Sequence, residues 1–73
     1  MSQIGQVRKN IGANIRSFRK KARLTQEELA EKAELHPVYI SQVETGSKAV
    51  SVEALWKISG ALHIPMSLLF RGI

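Results

Sequence analysis

Few side chains in this sequence are equipped for chemistry. There is no cysteine, all six acids are glutamates, and there are two histidines, His36 and His63, far apart in the chain. Composition therefore excludes a disulfide, a thiolate metal site and a cysteine nucleophile. Neither histidine has a second ligand at metal-site spacing, so no metal is expected. Catalysis needs groups that converge in a pocket. With this inventory, a chain of 73 residues is not expected to be an enzyme or to hold a cofactor.

What remains is basic. The net charge is +5, and it is unevenly placed. Arg8, Lys9, Arg16, Arg19, Lys20, Lys21 and Arg23 all precede the first acid, Glu27. A basic segment beside a mixed one suits an anionic partner, with nucleic acid first and a membrane surface second. Met1 leads into polar residues, with no secretory pattern. No apolar run approaches the ~20 residues of a membrane span. A soluble, cytoplasmic protein free of the membrane is expected. The length points to one domain over residues 1–73, near the lower limit for an independent core. Such a core rarely stabilises a fold by more than ~3–5 kcal/mol unless helices pack tightly or a second subunit adds surface.

The elements that must position these charges read as five helical segments and no strand. In the first, roughly Gln3 to Ala22, Val7, Ile11, Ile15, Phe18 and Ala22 recur at helical steps and form one apolar face. Gly5 and Gly12 are expected to weaken its early part by ~1 kcal/mol each. Thr25-Gln26-Glu27-Glu28 is a capping box that opens the second helix, whose apolar residues are Leu29, Ala30 and Ala33. The third starts with His36 at the N-cap and Pro37 in the first turn. It buries Ile40 and Val43, and Gly46 stops it. Only Glu34-Leu35-His36 joins the second helix to the third, so the two must cross steeply. Ser51 caps the fourth helix, with Glu53 in its first turn and Leu55, Ile58 and Leu62 on its apolar face. The fifth, from about Pro65 to Phe70, is almost wholly apolar. Part of it must face away from its own core, either loosely exposed or covered by a second chain.

From Gln26, the residues Leu29, Ala30, Ala33, Leu35, Ile40 and Val43 fall at positions four, five, eight, ten, fifteen and eighteen of a two-helix unit ending near Thr45. The small residue at position five lets the helices touch, and the apolar positions lock their angle. This pattern resembles the helix-turn-helix of the phage repressor and Cro class, the Xre family of small bacterial regulators. The stretches Ile15-Arg16-Ser17-Phe18-Arg19, Leu24 to Ala30, Tyr39 to Gly46, Ile58 to Leu62, Ile64 and Leu69-Phe70 extend the likeness over about residues 11 to 71. The Tyr39-Ile40-Ser41 to Glu44 segment is also similar to controller proteins of restriction-modification systems. One position departs. The family usually has glycine at the ninth place, where the backbone is left-handed, and here it is Glu34, at a cost of ~1–2 kcal/mol.

The resemblance implies an all-α, five-helix, lambda-repressor-like domain that regulates transcription as a homodimer on palindromic double-stranded DNA, its half-sites roughly 34 Å apart. The third helix would enter the major groove. Gln42 would pair with a base edge, Pro37 and Val38 would meet thymine methyls, and His36 and Ser41 would donate to a base or a phosphate. Gln26, Tyr39, Thr45, Ser47, Lys48, Arg16 and Arg23 would contact phosphates. Arg19 and Glu44 would form a structural salt bridge. The dimer would form through the end of the chain, about residues 64–73, with Ile64, Met66, Leu68 and Leu69. No small-molecule ligand is expected. The alternative reading is a protein-interaction module, an antitoxin or coactivator on the same fold.

Overall fold

In a computed structural model that describes residues 3–72, the chain forms four α-helices and a terminal 3-10 segment. Met1, Ser2 and Ile73, placed by the sequence reading within the domain and its dimerisation end, lie outside the described residues. The helices are α1 (Ile4–Lys21), α2 (Gln26–Ala33), α3 (Pro37–Glu44) and α4 (Val52–Leu62), and the 3-10 segment is Met66–Phe70. The described residues contain no strand.

The last segment corrects the expectation of a fifth α-helix. Pro65 is extended (φ −68°, ψ 145°), and Leu68 N donates to Pro65 O at 3.1 Å, an i to i−3 closure. Five residues offer too few positions for an α-helical ladder. The segment is held in place from α1. Asn14 Nδ2 lies 3.0 Å from both Leu69 O and Arg71 O, and Asn10 Nδ2 donates to Gly72 O at 3.2 Å.

The starts of the helices follow local chemistry. Thr25 Oγ1 accepts from Glu28 N at 3.0 Å while Glu28 Oε1 accepts from Thr25 N at 2.8 Å, the reciprocal capping box. Ser51 Oγ accepts from Ala54 N at 3.0 Å and opens α4. The ends share one device. After α3, Gly46 adopts φ 78°, Gly46 N donates to Val43 O and Ser47 N to Gln42 O, both at 3.0 Å. That is a Schellman turn. Arg23 (φ 61°), Glu34 (φ 58°) and His63 (φ 57°) make the same turn after α1, α2 and α4 without glycine.

The core lies where all four helices and the 3-10 segment meet. Ile15, Leu29, Ile40, Ile58 and Leu69 are fully enclosed, with Ile11, Ala30, Val43, Leu55 and Leu62 around them. Two details of α1 differ from its apolar pattern. Ala22, at the end of the expected face, is exposed, and Gly12 is buried. Gly12 is where α1 crosses the end of α3. A Cβ there would overlap Val43 O and stand 2.6 Å from Glu44 O. The glycine expected to weaken α1 is what allows this contact.

Gly12→Ala should therefore destabilise the protein, although alanine is the better helix former by ~1 kcal/mol. The overlap is with backbone, which cannot rotate away, so a net loss of about 1–3 kcal/mol is expected. Thermal denaturation of the variant beside Gly5→Ala, which meets no atom within 4 Å, separates the crowding from propensity. Equal gains in both would show that the crossing is loose.

Candidate nucleic-acid interface

The surface that presents α3 is fixed by a buried ion pair. Arg19 and Glu44 are 9% and 7% exposed, an uncommon position for two charges. Arg19 Nε donates to Glu44 Oε2 at 2.6 Å and Arg19 Nη2 to Glu44 Oε1 at 3.0 Å. This two-point geometry suits the planar guanidinium. Arg19 Nη1 donates to Leu24 O at 2.8 Å, and Gln26 Nε2 donates to Glu44 Oε1 at 3.0 Å. One carboxylate at the end of α3 thus receives α1 and the first residue of α2. The hydrogen bond to Glu44 raises Arg19 above its usual range, while desolvation pulls it down and the charges of Glu44 and Glu27 add a smaller rise. Because the folded-state value is raised, this contribution is complete below arginine's ordinary range and fades only above it. On the arginine side, the bridge does not respond to pH near neutrality.

With Ile40, Val43 and Glu44 turned inward, α3 presents its other side. Val38 is 55% exposed, Ser41 and Gln42 are half-buried, and Thr45 is exposed beyond them. Those spacings put Val38, Ser41, Gln42 and Thr45 on the outward half of one short helix. Pro37, also half-buried, opens it.

The other residues singled out in the sequence are placed differently. Gln26 is partly buried, its amide turned onto Glu44. The Thr45 and Ser47 hydroxyls each lie 3.1 Å from Gln42 O, folded back on the end of α3. Lys48 Nζ stands 5.9 Å from the centre of the Tyr39 ring, a cation–π contact that holds a charge beside α3. Arg16 and Arg23 are exposed, Arg16 on α1 and Arg23 in the turn after it. Leu69 does not fit its expected place at a dimer surface. It is 0% exposed, because the 3-10 turn points it into the core and leaves Ile64, Met66 and Leu68 half-buried beside it.

A groove of about 480 Å³ runs beside the start of α3, lined by Leu35, His36, Tyr39, Ser51, Glu53, Ala54 and Lys57. His36 Nδ1 accepts from Val38 N at 3.1 Å, which makes the ring the N-cap of α3. The Tyr39 hydroxyl oxygen accepts from Ser51 N at 3.2 Å and ties α3 to the start of α4. Lys57 is absent from the sequence-derived set. Nothing in the helix-turn-helix spacing points to it, since it reaches the groove from α4.

A short helix held with one side outward, braced by a second helix through a tight turn, is the arrangement of a helix-turn-helix DNA-binding domain. The chain belongs to the Xre-type helix-turn-helix family, whose model matches residues 15–69. It is 40% identical over 65 residues to the control protein C.BamHI of Bacillus amyloliquefaciens, covering 86% of this chain and 80% of that one. It is 39% identical over 57 residues to the immunity repressor protein of Bacillus phage phi105, covering 78% of this chain and 40% of the repressor. Among solved structures, the restriction-modification controller protein C.AhdI from Aeromonas hydrophila superposes with a TM-score of 0.85 at 33% identity, over 86% of this chain and 96% of that one. The protein is a DNA-binding transcriptional regulator and not an enzyme. No helix among the described residues is long and apolar enough to cross a membrane.

Arg19→Met leaves the Glu44 carboxylate buried without its cation and should cost about 3–5 kcal/mol. Arg19→Met with Glu44→Leu removes both charges and should recover much of that loss. Urea denaturation of the two single variants and the double variant measures the coupling. Additive losses would show that the pair does not act as a unit.

Proposed function

We propose that this protein binds a palindromic operator as a homodimer, with α3 of each subunit in the major groove, in the manner of a restriction-modification controller. In this reading residues 1–73 form one lambda-repressor-like domain of five helical segments. Residues 26–45 are the reading unit, 64–73 form the dimerisation end, and the protein acts in the cytoplasm. The observation that carries the reading is the outward side of α3. The Gln42 amide makes no hydrogen bond within the described residues, and it stands beside exposed Val38 and half-buried Ser41 on a helix anchored by the Arg19–Glu44 pair. An uncommitted amide on such a helix suits the paired acceptor and donor of adenine in the major groove. Val38 and Pro37 offer apolar surface to thymine methyls, and Ser41 offers a hydroxyl.

Arg16, Arg23 and Lys48 supply phosphate contacts around this helix. Gln26 offers the main-chain N–H that opens α2, whereas Thr45 and Ser47, whose N–H groups serve Ser41 O and Gln42 O, reach a phosphate by turning their exposed hydroxyls outward. The second subunit would cover Ile64, Met66 and Leu68, joined by Phe70, which is 43% exposed. An isolated domain of this size makes few contacts, and pairing two of them on one duplex multiplies their effect through local concentration.

Selection of bound sequences from a random duplex pool tests the reading: two inverted half-sites are expected, and a monomeric or asymmetric site would refute it. On the selected operator, Gln42→Ala should cost ~1–3 kcal/mol and relax one base position in each half-site. The same loss on every sequence would remove Gln42 from the readers. Met66→Asp should shift the protein to monomer in sedimentation equilibrium while leaving its helical content intact. An unchanged dimer mass would move the interface elsewhere.

A further inference from the structure

We propose that the groove between the start of α3 and α4 seats a DNA backbone phosphate, held by His36, Tyr39 and Lys57. This rests on the DNA-binding reading above and adds a contact that helix-turn-helix spacing does not reveal. Three side chains from two helices line one groove: the cap of α3, its first turn and the second turn of α4. Their hydrogen-bonding is already biased. The Nδ1 of His36 is taken up by Val38 N–H, so the proton of the neutral ring sits on Nε2 and the ring can only donate outward. The Tyr39 oxygen is taken up by Ser51 N–H, which leaves its hydroxyl hydrogen to offer. Lys57 has no acceptor to give at all.

With the His36 acceptor spent on the backbone and the Tyr39 oxygen already engaged by it, the groove presents mainly donors and fits an acceptor-only ligand. Charge selects an anion, since Lys57 lines the groove and Lys48 stands over the Tyr39 ring. Glu53 is the opposing charge in the lining, and Lys57 in the groove together with Lys48 beside the Tyr39 ring leaves a net positive charge for a single ester phosphate. The groove adjoins the N-terminal end of α3, the end that approaches base edges, so the phosphate of a nucleotide flanking the bases read is the anion at hand. His36 then acts on the backbone and not on a base, and the cap that starts the recognition helix is the same ring that docks it.

The test uses the whole chain with a random duplex and with its selected operator. Lys57→Gln, on an exposed residue, should keep the melting temperature. It should lower the slope of log affinity against log salt by about 1, about eightfold weaker binding at 0.1 M salt, equally on both duplexes. His36→Asn keeps a cap-forming oxygen but lacks the Nε2 donor, and should weaken both duplexes by one common factor at unchanged melting temperature. Nitrogen-15 spectra of wild-type His36 should show the proton on Nε2. An unchanged salt slope in Lys57→Gln, a His36→Asn loss confined to the operator, or a proton on Nδ1 each overturns the phosphate seat. Wild-type protein that binds neither duplex at any salt would instead overturn the DNA-binding reading itself.

Discussion

The bidentate contact between Arg19 and Glu44 is the constraint on which the rest of the molecule depends. Two charges inside a domain this small carry a desolvation cost that attraction alone barely offsets. It is tolerable because every group of the pair is engaged: Arg19 also serves Leu24 O, and Glu44 also receives Gln26. The network joins α1, the turn after it, the first residue of α2 and the last residue of α3. A purely apolar contact would stabilise the same crossing, but it would allow the short α3 to roll and slide. Hydrogen bonds with fixed directions at one end of an eight-residue helix restrict both motions. The pair needs α1 and α3 in close approach, and Gly12 supplies it by leaving room for the Val43 and Glu44 carbonyls.

Orientation is also set in the turns. Arg23, Glu34 and His63 all hold left-handed backbone, each at a cost of about 1–2 kcal/mol relative to the right-handed region. Three such costs weigh on a domain whose core contributes only a few kcal/mol. What offsets them locally is the Schellman pattern, which satisfies carbonyls that would otherwise end each helix unpaired. The residues that follow these turns, Leu24, Leu35 and Ile64, all pack against the core. Each strained residue reverses the chain and returns an apolar side chain to the interior. The steep crossing of α2 and α3 follows from one such reversal at Glu34.

Much of this was legible in the sequence because it is local or periodic. The capping box at Thr25, the Ser51 cap and the His36-Pro37 start depend on residues two or three apart. The buried Leu29, Ala30, Ala33, Ile40 and Val43 follow from helical spacing. The left-handed turn at Glu34 was also legible, since the unit needs it whatever residue stands there. What escaped depends on contacts between distant segments. Gly12 reads as a weak helix residue until the end of α3 is laid across it. Leu69 reads as one apolar residue among several until the 3-10 turn chooses which of them points inward. Gln26 reads as a phosphate contact at a helix start until Glu44 arrives beside its amide, and Lys57, outside the helix-turn-helix spacing, comes to line a groove with His36 only when α4 is set next to α3. The fold was therefore far more legible than the site, because side chains at a surface are assigned by tertiary neighbours and not by period.

The same division bears on how affinity and specificity are shared. The framework commits most of the polar groups of the helix-turn-helix to itself: the Gln26 amide, the Thr45 and Ser47 hydroxyls, the His36 Nδ1 and the Tyr39 oxygen all serve internal partners. Few are left uncommitted on the outward side of α3, chiefly Gln42 and Ser41, beside apolar Pro37 and Val38. A helix with so few hydrogen-bonding readers gains little discrimination from each base pair. In the proposed mode of binding it would draw on steric fit to thymine methyls and on the deformability of the DNA between half-sites. Such a reader depends on its angle more than a polar one does, because van der Waals contact decays over a fraction of an ångström whereas charged contacts persist over several. The rigid bracing of α3 by a buried charge pair and the spare chemistry of its outward side are thus two halves of one design: the less the side chains can say to the bases, the more firmly the helix that carries them has to be held.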